Sequence, residues 1–207
     1  MKILNLTLRN FKGIRNFELN TEVKDVNAFG DNATGKTTLA DAFMWLLFGK
    51  DSQNKTDFEI KTLGPDGEPE HGLEHMVEAV LELEDGSQFA LKKVYQEKWT
   101  KKKGSATAEF TGHTTNHFVD GVPVQKKEYD ARIAEIADEN IFRLLTDPRY
   151  FNEVLHWQKR RELLLEVCGD VSDAEVIASK KELAKLGDIL GNRTIEQHRK
   201  VIQARRT

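Results

Sequence analysis

Residues Gly30-Asp31-Asn32-Ala33-Thr34-Gly35-Lys36-Thr37 satisfy the pattern G-x-x-x-x-G-K-[ST] at every fixed position. In a chain of 207 residues a chance match is about a one-in-a-hundred event. The residue types are those that phosphate binding asks for. Gly30 and Gly35 lack a Cβ, so the backbone can turn tightly and direct successive N–H groups, from Asp31, Asn32, Ala33 and Thr34 onward, into a concave nest around phosphate oxygens. Lys36 adds a point charge and is the candidate catalytic residue. Thr37 offers a hydroxyl to a Mg2+ bridging the outer phosphates, and Thr38 is a further phosphate contact.

Such a loop must be fed by a strand and drained by a helix. Residues 26–29 (Val-Asn-Ala-Phe) read as a short buried strand, and 37–48 as a helix closed by Gly49 at a C′ position. That helix is apolar on nearly all sides, so it belongs between layers. Leu4, Leu6 and Leu8 alternate with polar residues, and Phe17 and Leu19 continue the period after a turn near Gly13. The loop therefore follows two or more strands instead of opening the chain. Residues 50–70 turn polar around Gly64-Pro65-Asp66-Gly67. Strand patterns then resume at 77–83 and 89–95, joined at Asp85-Gly86, and at 109–115 and 117–124, with a turn at Asp120-Gly121. Helical patterns cover 126–137, 139–145 and 157–168 before Gly169. A capping box at Ser172 starts a helix to Leu190, stopped by Gly191-Asn192, and one at Thr194 starts a last helix running to Arg206.

Composition is ordinary for a soluble globular protein, 39% hydrophobic and 31% charged. With 31 Lys and Arg against 34 Asp and Glu there is no global electrostatic demand for nucleic acid, and any such site must be local. One cysteine excludes an internal disulfide framework; Cys168 lies in an apolar helical pattern and reads as a buried thiol in a reducing compartment. There is no signal-peptide pattern, and no apolar run approaches the roughly 20 residues of a membrane span, so the expectation is a cytoplasmic protein without a membrane partner.

The arrangement resembles the N-terminal head lobe of the SbcC-type, RecF-like and SMC ATPases, in the bacterial or phage branch. The resemblance is carried by a first strand ending Leu8-Arg9-Asn10-Phe11-Lys12, a phosphate loop near residue 30, a buried helix containing Leu39-Ala40-Asp41-Ala42, a β-rich insertion, and Phe151 through Arg160-Arg161-Glu162-Leu163-Leu164. It implies an α/β P-loop ABC-type lobe over 1–169, with an antiparallel β insertion at 76–124, and a helical segment at 170–207 leading toward a coiled coil. It implies ATP and Mg2+ as ligands, Lys12 and Lys61 as basic residues near the nucleotide, and Asn152 at the position of a metal-reaching glutamine, with Gln158 six residues on. It also implies a second head as a homodimeric partner, a C-terminal lobe, DNA as substrate and a possible nuclease subunit. The family's Asp-Glu strand and Ser-Gly-Gly signature loop do not occur in these 207 residues, so the expectation is an N-terminal piece that binds ATP without efficient hydrolysis. Basic clusters at Lys92-Lys93, Lys98 to Lys103 around Trp99, and Lys159-Arg160-Arg161 are the candidate DNA contacts.

Competing patterns are weaker. Asn54-Lys55-Thr56-Asp57 and Asp188-Ile189-Leu190-Gly191 match GTPase signatures in reversed order. His71-Gly72-Leu73-Glu74-His75 matches an inverted zinc-protease pattern but carries a glycine where a firm helix is needed, and His113 and His117 read as surface groups. A self-contained P-loop enzyme such as a small-molecule kinase, using Arg143, Arg149, Arg160 or Arg161, or a nucleotide-binding scaffold, are the alternative functions.

Overall fold

The computed structural model describes residues 1–101, 108–147, 149–169 and 172–205. The chain divides into two compact units, Met1–Phe142 and Arg143–Thr207.

The first unit is built on one antiparallel sheet of six strands, in the order β2-β1-β3-β4-β5-β6. Its strands are β1 (Lys2–Phe11), β2 (Ile14–Asn20), β3 (His75–Glu82), β4 (Gln88–Thr100), β5 (Glu109–Val119) and β6 (Val122–Val124). Helix α1 (Lys36–Phe48) follows the phosphate loop, and α2 (Lys126–Ile136) follows β6. The alternation read in the sequence selects the buried face: Leu6 and Leu8 of β1, Val77, Ala79 and Leu81 of β3, Leu91 of β4 and Val119 of β5 join one core. Ala42, Trp45, Leu46 and Leu47 of α1 and Tyr129 and Ile133 of α2 complete it. Leu8 stands opposite Val77, Ala79 opposite Leu91, and Leu91 opposite Val119, so the apolar rows run straight across the strands. The Phe11 and Trp45 rings meet at 5.5 Å and tie sheet to helix. Strands β3 to β6, the expected insertion, thus lie in the same sheet as the two opening strands, through the β1–β3 pairing.

Two expectations for this unit need correction. Residues 26–29 form no strand, and Val26 and Phe29 are 49% and 90% exposed. A strand persists only where a neighbour takes its N–H and C=O groups, and among the described residues this stretch is not paired into the sheet. The expected break near residue 116 is absent, because β5 runs unbroken to Val119. The hairpin does fall at Asp120-Gly121, both at positive φ (49° and 78°), as a two-residue hairpin turn requires.

In the second unit the expected helix from Ser172 to Leu190 is split into α5 (Asp173–Ser179), a 3-10 turn (Lys181–Leu183) and α6 (Ala184–Leu190). Ser179 donates its hydroxyl to the Val176 carbonyl, competing with the helix ladder, and Lys180 is extended. Helix α3 (Glu139–Thr146) runs across the boundary at Phe142, and a π-helical turn (Tyr150–Val154) and α4 (Trp157–Cys168) follow it before α5. The capping boxes at Ser172 and Thr194 both form. Helix α7 (Ile195–Ala204) follows the second; its expected continuation to Arg206 lies outside the described residues. Cys168 is exposed, contrary to the buried thiol expected, because α4 buries no residue on any face.

Candidate nucleotide-binding site

The chain approaches the loop through the exposed Phe29 and leaves it as α1. Two glycines shape the path for different reasons. Gly30 has φ 155°, and a Cβ there would come within 2.7 Å of the Thr34 hydroxyl, which donates to the Asp31 carbonyl at 2.8 Å. Gly35, at φ 92°, is the N-cap of α1 and reverses the chain into the helix in a region that L side chains rarely adopt. The Lys36 ammonium folds back across the loop and donates to the carbonyls of Gly30 and Asp31, each at 2.6 Å.

The head of α1 is prepared for an anion. No side chain caps it and no acidic residue stands in its first turn, so its leading N–H groups and the positive end of its dipole face outward uncompensated. A cavity of about 460 Å3 opens there, lined by Gly13, Ile14 and residues 32–38. Asn32, Ala33, Thr34, Gly35, Lys36, Thr37 and Thr38 are thereby brought together, with Gly30 and Asp31 contributing the carbonyls that position Lys36. Gly13 and Ile14 were legible in the sequence only as a turn; nothing in their types marks them as cavity wall.

Lys12 and Lys61 do not line the cavity. The Lys12 ammonium donates to Asp41 Oδ2 at 2.5 Å and lies 4.9 Å from the Phe58 ring centroid. Lys61 donates to Glu97 at 3.1 Å; that carboxyl also receives His71 and Trp99, and these hydrogen bonds, His71's first, hold it at about 2 despite burial. Asn152 lies in the π-helical turn of the second unit, where its carbonyl accepts from Arg160 at 2.9 Å. Gln158 is exposed in the first turn of α4.

Thr37 is exposed and lines the cavity. Among the described residues no three His, Cys, Asp or Glu side chains gather as a metal site. One hydroxyl beside an anion cradle suits Mg2+, which keeps most of its coordination in water and substrate phosphates, so the donor set fits that ion.

The basic clusters fare unequally. Lys93 is buried, its ammonium donating to the Trp45 carbonyl at 2.8 Å, so Lys92-Lys93 is not a surface pair; Lys92 alone points outward, near Glu78 at 3.7 Å. Lys98 and Lys101 are exposed, with Trp99 and Phe110 meeting edge to face at 5.7 Å beside them; Lys102 and Lys103 lie outside the described residues. Lys159 pairs with Glu162 at 2.7 Å. Of the histidines expected at the surface, His113 is exposed and stacks on Tyr95 at 5.0 Å, whereas His117 is buried against Tyr129 at 4.9 Å.

No helix among the described residues is long and apolar enough to cross a membrane. The DNA replication and repair protein RecF of Azobacteroides pseudotrichonymphae genomovar. CFP2 is 26% identical over 194 residues, which cover 89% of this chain and 51% of that protein. A solved structure of the recombination mediator protein RecF with ATP, in the RecFOR pathway, aligns with 90% of this chain and 51% of its own length, at 15% identity and a TM-score of 0.40. The chain thus spans about half the length of either relative. The sequence profile of the AAA domain family matches residues 5–201, and with the glycine-lysine loop heading a helix buried on an antiparallel sheet, the chain belongs to that family.

Proposed function

We propose that this chain binds Mg-ATP at the 30–38 loop as the N-terminal lobe of an ATPase head that serves DNA replication or repair. The observation that carries the reading is the bare head of α1: no cap, no acid, and Lys36 laid across the loop. The similarity to RecF supports the DNA context. In this reading the loop N–H groups and Lys36 take the outer phosphates, and the Thr37 hydroxyl would hold a Mg2+ that would supply charge neutralisation to them. Lys36 neutralises charge that grows on the transferred phosphoryl group, which is its catalytic role. The water-activating carboxylate and the signature loop come from a C-terminal lobe and a second head, so hydrolysis follows engagement of two heads. DNA contacts fall to exposed lysines such as Lys98 and Lys101 beside Trp99, and a nuclease subunit is a possible further partner.

Calorimetric titration of the chain with Mg-ATP and Mg-GTP tests this, with Lys36→Ala alongside and a turnover assay on the same samples. The expected result is ATP binding that the variant loses at least tenfold, with negligible turnover by the chain alone. Equal binding by Lys36→Ala would remove the phosphate-loop assignment. Fast turnover by the isolated chain would instead favour a self-contained enzyme.

A further inference from the structure

The turn between β1 and β2 is held in a costly conformation. Asn10 and Lys12 both have φ 51°, in the left-handed region that non-glycine residues enter at a cost. The surroundings over-determine it. The Asn10 carbonyl accepts from the Thr62 hydroxyl at 2.9 Å and meets His75 Nδ1 at 2.6 Å, and the Asn10 amide donates to the Glu74 carbonyl. The Lys12 N–H donates to the Ile60 carbonyl at 2.8 Å. The turn then delivers Gly13 and Ile14 to the wall of the phosphate-loop cavity, where Ile14 Cδ1 stands 3.5 Å from the point a Cβ on Gly35 would occupy.

Beside the Phe11–Trp45 ring contact, a charged side chain ties this turn to α1. The Lys12 ammonium reaches Asp41 Oδ2, while Asp41 Oδ1 accepts both the N–H of Ser52 (2.9 Å) and its hydroxyl (2.5 Å). Asp41 is 6% exposed and lies four residues, one helical turn, beyond Thr37 on the same face of α1. A carboxylate this deep is retained only when paired, and Asp41 is paired to two separate segments of chain.

We propose that Asp41 is a positioning residue for the nucleotide site: through Lys12 it clamps the β1–β2 turn against α1, so that Gly13 and Ile14 form a fixed wall beside Gly35. Neither Asp41 nor Lys12 touches the nucleotide in this arrangement. The inference rests on the Mg-ATP reading for its effect on affinity, but its geometric content stands apart from it.

The test uses Asp41→Asn, Lys12→Met, their double variant and Lys12→Arg. Hydrogen exchange, which needs no nucleotide, should show faster exchange at residues 12–15 and 30–38 in Asp41→Asn and Lys12→Met, beyond any change that general destabilisation brings to β3 and β4, with Lys12→Arg restoring protection. Unchanged exchange there overturns the clamp, whatever the chain binds. Calorimetry should show both single variants weakening ATP and ADP alike, about tenfold, with the double variant no weaker than either single. A loss in Lys12→Met that Asp41→Asn does not share would instead make Lys12 a direct nucleotide contact and overturn the proposal. Lys36→Ala is the separate control: if it binds as wild type does, the nucleotide reading fails while the exchange result still decides the clamp.

Discussion

Replacing Lys93 by methionine should change how the stability of this protein depends on pH. Lys93 sits mid-strand in β4, opposite Val77 of β3 and His117 of β5, on the face that carries the core. Its ammonium donates to the Trp45 carbonyl at the C-terminal end of α1, 4.9 Å from the Tyr129 ring centroid and 5.7 Å from that of Trp45. These contacts favour the charged form, as does the negative end of the helix dipole. Burial outweighs them and, with Asp130 opposing and Lys126 assisting, brings Lys93 from 10.5 to about 7. The folded chain therefore releases this proton near pH 7 and the unfolded chain near 10.5, so between those values the unfolded chain holds more protons and stability rises with pH. The slope approaches about 1.4 kcal/mol per pH unit, or about 2 kcal/mol between pH 7 and pH 9, below the range where tyrosines ionise. Lys93→Met removes the titrating group while the Gly49 N–H still donates to the Trp45 carbonyl at 2.9 Å, so that acceptor keeps a partner. Urea denaturation at pH 7, 8 and 9 should show wild type gaining about 2 kcal/mol across the series and the variant gaining far less. A flat wild-type profile, or an equal rise in both proteins, refutes the reasoning.

Acid should act in the opposite direction. His117 is held at about 4 by burial first and by the Lys93 charge second, so its stabilising neutral form is complete above pH 6.5 and lost progressively as pH falls toward 4. Burial alone would raise the Asp41 carboxyl, but hydrogen bonds from Lys12 and Ser52 leave it lowered, which adds a further loss on stronger acidification. Urea midpoints at pH 7 and 4.5 should therefore differ, by less in His117→Gln; an unchanged difference would count against the buried-histidine explanation. Gly35→Ala forces a Cβ onto a residue at φ 92° and should cost about 1–3 kcal/mol of stability, read by thermal unfolding, even though the space beside Ile14 admits a methyl group. Thr37→Ala should leave metal-free ATP binding unchanged while abolishing most of the gain from adding Mg2+, measured calorimetrically with and without the ion; a full Mg2+ gain in the variant would deny the hydroxyl its role.

The sequence by itself determined what depends on neighbours a few residues apart. The glycine spacing around Lys36 is a local pattern, as are the Gly49 terminus, the capping boxes at Ser172 and Thr194 and the Asp120-Gly121 hairpin, and each forms where those residues stand. Period-two alternation likewise marked the core face of β1 and β3, because side chains must point to opposite sides of a strand. What the tertiary structure decided is which groups have partners. Whether residues 26–29 become a strand depends on another strand lying beside them, and their own types carry no information about that. Lys12, Lys61 and Lys93 are the same residue type in similar polar contexts. Yet one clamps Asp41, one holds Glu97 and one is sealed beneath Trp45, through contacts 29, 36 and 48 residues away along the chain. A lysine's stem is long enough to serve surface or core, so its place follows from the acceptor that the fold brings within reach.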